Sequence, residues 1–174
     1  MEDHAAWLCQ GDVFQQLPIF RSVMTKNGID VEQTRDIGAA ILLTEGCQLD
    51  KPFQGKSSIE TLSFAPIYAL DDRNVPLLDH QNLLRSGKRK LHGVVYVTNA
   101  GDGGEGVAFF RDTYGISASY FDLQLQMFEG DDQSEPRAVA VSNDRRSGTL
   151  DADERDLMKW KLAAFWSGST PKLV

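Results

Sequence analysis

Short stretches of alternating or continuous apolar residues recur along the chain and predict a protein built mainly from β-strands. The clearest stretch is 120–128, where every second residue is apolar, a pattern typical of a strand with one buried face. The apolar run that ends at Thr44 predicts a buried central strand, and Pro66 places the next strand at an edge or a bulge. The predicted strands are 40–44, 63–70, 93–98, 107–110, 120–128 and 138–142 as the last one, with a hairpin around Asn27-Gly28.

Two segments predict helices, a short one at 79–86 and a longer one at 151–166. Asp151 suits the N-cap of the longer helix, with Glu154 placed to complete a capping box, and Gly168 marks its end. Together the segments predict a mainly β (α+β) fold. We expect a small barrel or curled sheet of about seven or eight strands, covered by one C-terminal helix.

Length and composition narrow the class of protein. The 174 residues are expected to form a single domain, 1–174, and a net charge of −7 disfavours a protein that binds nucleic acid over its whole surface. No apolar run approaches the length of a membrane span, and no signal peptide is recognised, so we expect a cytoplasmic protein. The two cysteines and three histidines show no metal-binding spacing, and we predict neither a metal nor a cofactor.

The loop after the central strand concentrates reactive side chains: Thr44, Glu45, Cys47 and Asp50. A rigid strand positions what its exit loop presents, so these four residues are predicted to form a binding site. Cys47 would act as a nucleophile only with a base or cation beside it. A half-buried structural cysteine is the favoured interpretation.

Two polar stretches predict loops rather than sites. Gly101-Asp-Gly-Gly-Glu-Gly106 matches the dinucleotide pattern G-x-G-x-x-G, but the following residues favour a strand where that motif needs a helix. The stretch Asp144-Arg-Arg146 reads as a solvated loop.

A cluster of positive charge follows the predicted short helix: Arg85, Lys88, Arg89 and Lys90. The simpler interpretation is a solvated helix end, where cations complement the helix dipole. The alternative is a contact for phosphate or for an acidic partner, which would stand out on an acidic protein.

Four short motifs, taken in order, resemble the PemK/MazF family of toxin-like proteins. Gly11-Asp12-Val13 is similar to the family's opening G-D-[IV], Ala40-Ile-Leu-Leu-Thr44 to its central strand, and Phe64-Ala-Pro66 to its V-x-P strand. Gly148 to Glu154 resembles the start of its last helix. The resemblance covers about the first seventy residues and the final thirty, with a poorly matched insertion at 71–137. It implies a small SH3-like barrel with a C-terminal helix, and a homodimer.

The chain departs from the pattern of the catalytic members. These resemble one another in an arginine just before the central strand, usually Arg-Pro, and a threonine or serine after V-x-P. Here Gly38-Ala39 holds the first place, with Arg35 upstream, and Tyr68 falls near the second. The loop Thr44–Asp50 also resembles a T-Q-x-C-D-L motif of uncharacterised bacterial proteins, where Cys47 and Asp50 would hold a ligand or shape the loop.

Three functional hypotheses follow. The favoured one is a non-catalytic interaction protein with a protein partner, in a bacterial toxin–antitoxin or phage-defence system. The alternative is a metal-independent endoribonuclease in which Arg35 or Arg85 supplies the cation and Thr44 or Tyr68 the hydroxyl, with RNA as the substrate. A thiol enzyme based on Cys47 would need His80 or His92 beside the sulfur.

Overall fold

The computed structural model describes residues 5–21, 34–53, 56–69, 93–98, 104–129 and 134–168. The hairpin predicted around Asn27-Gly28 and the helix predicted at 79–86 lie outside these residues. Within them, the fold is mainly β with one long C-terminal helix, as expected.

Eleven strands and two α-helices make up the described part of the chain. The helices are α1 (Gly46–Leu49) and α2 (Ala152–Ser167). The strands are β1 (Asp12–Arg21), β2 (Thr34–Leu42), β3 (Pro52–Phe53), β4 (Lys56–Ser57), β5 (Thr61–Ala69), β6 (Val94–Val97), β7 (Gly106–Phe109), β8 (Tyr114–Ser117), β9 (Leu123–Glu129), β10 (Ser134–Ala140) and β11 (Arg146–Thr149). The prediction that the strand near 138–142 is the last one is wrong, because β11 follows it.

One curled sheet of seven strands forms the body of the fold, in the order β11-β1-β2-β5-β7-β6, with β8 also paired to β5. All of its pairings are antiparallel. The hairpin β9–β10 and the short pair β3–β4 form two separate ribbons.

Strand β5 lies inside the sheet, which corrects the prediction of an edge strand around Pro66. On one side β5 pairs with β2, and on the other it changes partner from β8 to β7. Phe64 is the last residue opposite β8 and Ile67 is the first opposite β7. Pro66 sits in the gap between them, where a residue without an N–H interrupts no ladder.

Alternating side chains on the strands build two hydrophobic layers, one on each face of the sheet. One layer contains Phe14, Phe64 and Phe121, whose rings contact one another edge-on or stacked, and it is covered by the β9–β10 hairpin. The other layer lies under α2, which inserts the fully buried Met158. The two layers leave the outer surface of α2 and its last turn exposed.

Helix α2 begins and ends as the sequence predicts. The Asp151 carboxylate accepts a hydrogen bond from the Glu154 amide at 2.9 Å, and Glu154 accepts one from the Asp151 amide at 3.2 Å. Gly168 ends the helix with φ of 62°, a left-handed conformation that glycine adopts without strain. The position of the last turn is therefore fixed by local sequence.

Candidate functional site

A surface cleft of about 200 Å³ opens beside the loop that follows β2. Two of its lining residues, Thr44 and Glu45, belong to the predicted binding loop, and the sequence did not indicate the others. Those are Leu43, Gln48, Ser63, Thr113, Leu162 and Trp166. The cleft thus forms where the exit of β2, the strand β5 and the end of α2 meet.

Some polar side chains that line the cleft form hydrogen bonds within the protein, and others do not. The Thr44 hydroxyl is buried and accepts a hydrogen bond from the Ser63 amide at 2.8 Å, so it holds β2 to β5. The Thr113 hydroxyl donates to the Phe110 carbonyl at 2.6 Å. Within the described residues, the side chains of Ser63 and Gln48 have no hydrogen-bond partner, so they remain able to contact a ligand.

Glu45 supplies a carboxylate to the rim. Its contact among the described residues is with the thiol of Cys47, which lies 3.5 Å from Oε2, and no described cation pairs with it. Both side chains are exposed. The interpretation of Cys47 as a half-buried structural residue is therefore wrong, because its thiol faces solvent at the start of α1.

Trp166 provides an aromatic surface in the lining of the cleft. Its side chain is 65% exposed although it belongs to the last turn of α2, and its ring packs edge-on against Phe165. The last turn contains no basic residue. The partial negative charge of a helix C-terminus is therefore not balanced by the helix itself.

Asp50, at the other end of the same loop, is engaged inside the protein. One carboxylate oxygen accepts from the Arg137 guanidinium at 3.0 Å and the other from the Ala138 amide at 2.9 Å. These bonds fasten the loop to β10. Of the two roles left open for Asp50, holding a ligand or shaping the loop, its contacts are those of loop shaping.

Among the candidate catalytic residues, Thr44 lies apart from both Arg35 and Tyr68. Arg35 pairs with Phe20 at the beginning of β2, whereas Thr44 follows the end of that strand. The strand between them spans more than about 20 Å. Tyr68 lies near the other end of β5 from the cleft residue Ser63.

Tyr68 instead takes part in a second polar cluster at β5, β7 and the 3-10 turn that follows. Its hydroxyl donates to the Asp112 carboxylate at 3.0 Å, and the Arg111 guanidinium lies 3.6 Å from the same carboxylate. Arg111 is 61% exposed and lies over the Phe109 ring. The sequence did not single out Arg111 or Asp112, because the stretch that contains them carries no motif.

Gly38 occupies the place where the resembling family carries its arginine. A Cβ atom at this position would lie 2.7 Å from Cδ1 of Ile19 on the neighbouring strand. A larger residue would need Ile19, which is buried, to move. The local packing thus favours glycine here.

An ion cluster around the buried Arg146 side chain lies away from the cleft and corrects the prediction of a solvated loop at that residue, whereas Asp144 and Arg145 are exposed as predicted. The Arg146 side chain is only 2% exposed and contacts the carboxylates of Asp12, at 3.3 Å, and Asp144, at 2.6 Å. It also donates to the backbone carbonyls of Ala5 and Trp7. Arg146 therefore fastens the N-terminal segment to β1 and β11.

Burial and neighbouring charges act in opposite directions on the pKa values of this cluster. Burial raises the pKa of Asp12, although hydrogen bonds from the Cys9 amide and the charge of Arg146 act in the opposite direction. Burial would lower the pKa of Arg146, but its hydrogen bonds with Asp144 and the charge of Asp12 outweigh that effect and raise it. All the Arg146 donors point into the protein, so this cluster serves structure.

Two further expectations concern absent features. No group of three or more His, Cys, Asp or Glu side chains in the described ranges is arranged to hold a metal ion. None of the helices described is long and apolar enough to cross a membrane.

The G-x-G-x-x-G stretch leads into β7 at Gly106, a strand, as predicted.

Several predicted site residues cannot be placed. Arg85, Lys88 and Arg89 lie outside the described residues, as do His80 and His92, so the basic patch and the thiol hypothesis stay predictions.

Comparison with known proteins adds no family. No family profile matches the chain, and no curated protein is significantly similar to it. The function is therefore inferred from the residues that line the cleft and from their contacts.

Proposed function

We propose that this protein is a non-catalytic interaction module that binds a protein partner through the cleft between Glu45 and Trp166. The observation that carries the proposal is the exposed Trp166 ring at the edge of a cleft whose polar side chains are partly unused. Exposed tryptophan at the edge of a concave surface is typical of a binding hot spot. The resemblance to the PemK/MazF barrel suggests a bacterial toxin–antitoxin or phage-defence system as the setting.

Two features support binding over catalysis. The arginine of the resembling enzymes is replaced here by Gly38-Ala39, and their threonine or serine is replaced by Tyr68. Arg35 is distant from Thr44. The Thr44 hydroxyl is buried in a bond that joins two strands. Use of that hydroxyl in proton transfer would disturb its hydrogen bond with the Ser63 amide.

Site-specific photocrosslinking in a bacterial lysate tests the proposal. A benzophenone amino acid placed at position 48 faces the cleft, and the same group at position 129 on β9 serves as the control. We expect one protein to crosslink from position 48 and not from position 129. Crosslinking to RNA, or no crosslink specific to position 48, would contradict the proposal.

A metal-independent endoribonuclease is the second candidate, and the Tyr68–Asp112–Arg111 cluster is what favours it. The cluster supplies a guanidinium for the phosphate and a carboxylate to accept the proton of the 2′-hydroxyl, with Tyr68 orienting that carboxylate. Such a reaction would bond the 2′-oxygen to phosphorus and break the P–O5′ bond, which gives a 2′,3′-cyclic phosphate. The departing 5′-oxygen would take a proton from water and leave as a hydroxyl.

Incubation of purified protein with a mixed RNA pool in EDTA decides between the candidates. The proposal predicts no cleavage by the wild type. Cleavage that is lost in Arg111→Ala and Tyr68→Phe but kept in Lys159→Ala, an exposed cation on α2, would establish the second candidate. The same samples should include Arg35→Ala.

Light scattering on the wild type tests the homodimer that the resemblance implies.

A further inference from the structure

Three groups around the cleft attract positive charge. Glu45 presents a carboxylate that no described cation neutralises, and the ring of Trp166 offers the aromatic face that binds cations best. The last turn of α2, which contains Trp166, adds the partial negative charge of its carbonyl groups without a basic residue to offset it. These groups come from two elements, the loop after β2 and the last turn of α2, so the preference belongs to the cleft rather than to one residue.

The interior of the cleft suits a long side chain with an apolar stem. Leu43 and Leu162 form apolar parts of the lining, whereas Gln48 and Ser63 provide polar atoms. A cavity of about 150 Å³ accommodates a benzene-sized group, so a cleft of about 200 Å³ has room for one long side chain. Lysine and arginine combine such a stem with a charged end.

Two described cations near the cleft do not fill this role. Lys161 lies next to Leu162 in sequence, but its side chain is buried and its ammonium donates to the Val94 carbonyl at 3.1 Å. Arg111, near Thr113, contacts Asp112 and Phe109. The net charge of −7 would also draw a basic partner to the protein over a longer range.

We infer that the cleft receives a single lysine or arginine side chain from a basic segment of the protein partner. The cation would lie between the Glu45 carboxylate and the Trp166 ring, with its stem against Leu43 and Leu162. This inference rests on the proposed function and adds the chemistry of the partner's anchor to it.

Selection from a library of displayed random 12-residue peptides tests the inference against the intact protein. We expect peptides that lose binding to Trp166→Ala to share one Lys or Arg. Replacement of that residue by methionine, which keeps the stem without the charge, should weaken binding about tenfold or more. Binding to Glu45→Gln should fall by about two- to fivefold.

Two variants on β9 control for general effects. Glu129→Gln removes an exposed carboxylate, and Met127→Ala removes an exposed apolar side chain, both away from the cleft lining. Each should bind the selected peptides as the wild type does.

The outcomes separate the two proposals. Peptides that depend on Trp166 but share an acidic or purely apolar anchor would overturn the inference and leave the interaction module standing. A library that yields no binder dependent on Trp166 would count against both. Peptides that bind Glu45→Gln and Glu129→Gln equally well would remove Glu45 from the site.

Discussion

Two polar regions of this protein differ in how much of their bonding capacity is used. The Arg146 side chain is 2% exposed, and its guanidinium donates to two carboxylates and to backbone carbonyls of the N-terminal segment. Around the cleft, the carboxylate of Glu45 and the amide of Gln48 face solvent. A dense set of charges can therefore be purely structural. A sparser set whose polar groups are not engaged within the protein offers a place to bind.

The same contrast occurs within a single loop. Glu45 and Asp50 stand five positions apart, on either side of α1, and no sequence pattern distinguishes their roles. The Asp50 carboxylate is engaged by Arg137 and by the Ala138 amide, and Glu45 is exposed beside Cys47. We therefore assign loop anchoring to Asp50 and ligand contact to Glu45.

The largest expected effect comes from breaking the buried cluster. Arg146→Ala removes the cation beside Asp12 and the guanidinium donor to the carbonyls of Ala5, Ala6 and Trp7. We expect a loss of about 3–5 kcal/mol in the free energy of unfolding. Urea denaturation measures this loss. Arg145→Ala, at an exposed neighbouring arginine, should change the free energy by less than about 1 kcal/mol. Equal effects of the two variants would contradict the structural role of Arg146.

The next effect concerns the anchored carboxylate. Asp50→Ala deprives the Ala138 amide of its acceptor and frees Arg137, so we expect a loss of about 1–3 kcal/mol. Hydrogen exchange at the Ala138 amide should become faster in the same variant. Unchanged stability and exchange would show that the loop is held by other contacts.

A smaller effect on stability is expected at the cleft. Glu45→Gln and Trp166→Ala alter exposed side chains, and each should change the free energy of unfolding by less than about 0.5 kcal/mol while weakening binding of basic peptides. Urea denaturation and a peptide titration on the same samples give both values. A cleft variant that lowers the free energy of unfolding as much as Arg146→Ala does would contradict the distinction between the cleft and the buried cluster.

The smallest effect depends on pH. Burial lowers the pKa of Lys161, so the unfolded chain holds its proton to higher pH than the folded protein does. Stability should therefore rise with pH between the lowered pKa and the ordinary value of 10.5, relative to Lys161→Met. Urea denaturation at several pH values checks the sign of this difference. A difference that stays constant with pH would show that Lys161 titrates alike in both states.

Sequence reasoning succeeded where local patterns decide the structure. The capping box at Asp151 and Glu154 and the stop at Gly168 fixed the ends of α2 to within one residue. The hydrophobic run before Thr44 located a central strand. Each of these features depends on neighbours a few positions away.

Long-range contacts explain what the sequence did not reveal. Arg146 meets Asp12 across 134 positions, and Arg137 meets Asp50 across 87, and neither pairing leaves a trace in local composition. Trp166 was predicted only as the end of a helix, since its place beside Glu45 follows from how α2 packs on the sheet. The binding loop was found because a strand exit is a local feature, but its partners were not.

A nuclear magnetic resonance titration is the most direct test of whether the cleft binds a basic side chain between Glu45 and Trp166. ¹⁵N-labelled protein would be titrated with a capped Ala-Arg-Ala peptide, and with capped Ala-Met-Ala as the neutral control. The account predicts shifts of the Trp166 indole and of the Glu45 and Gln48 amides with the arginine peptide only. Shifts that avoid these signals, or that both peptides produce equally, would contradict it.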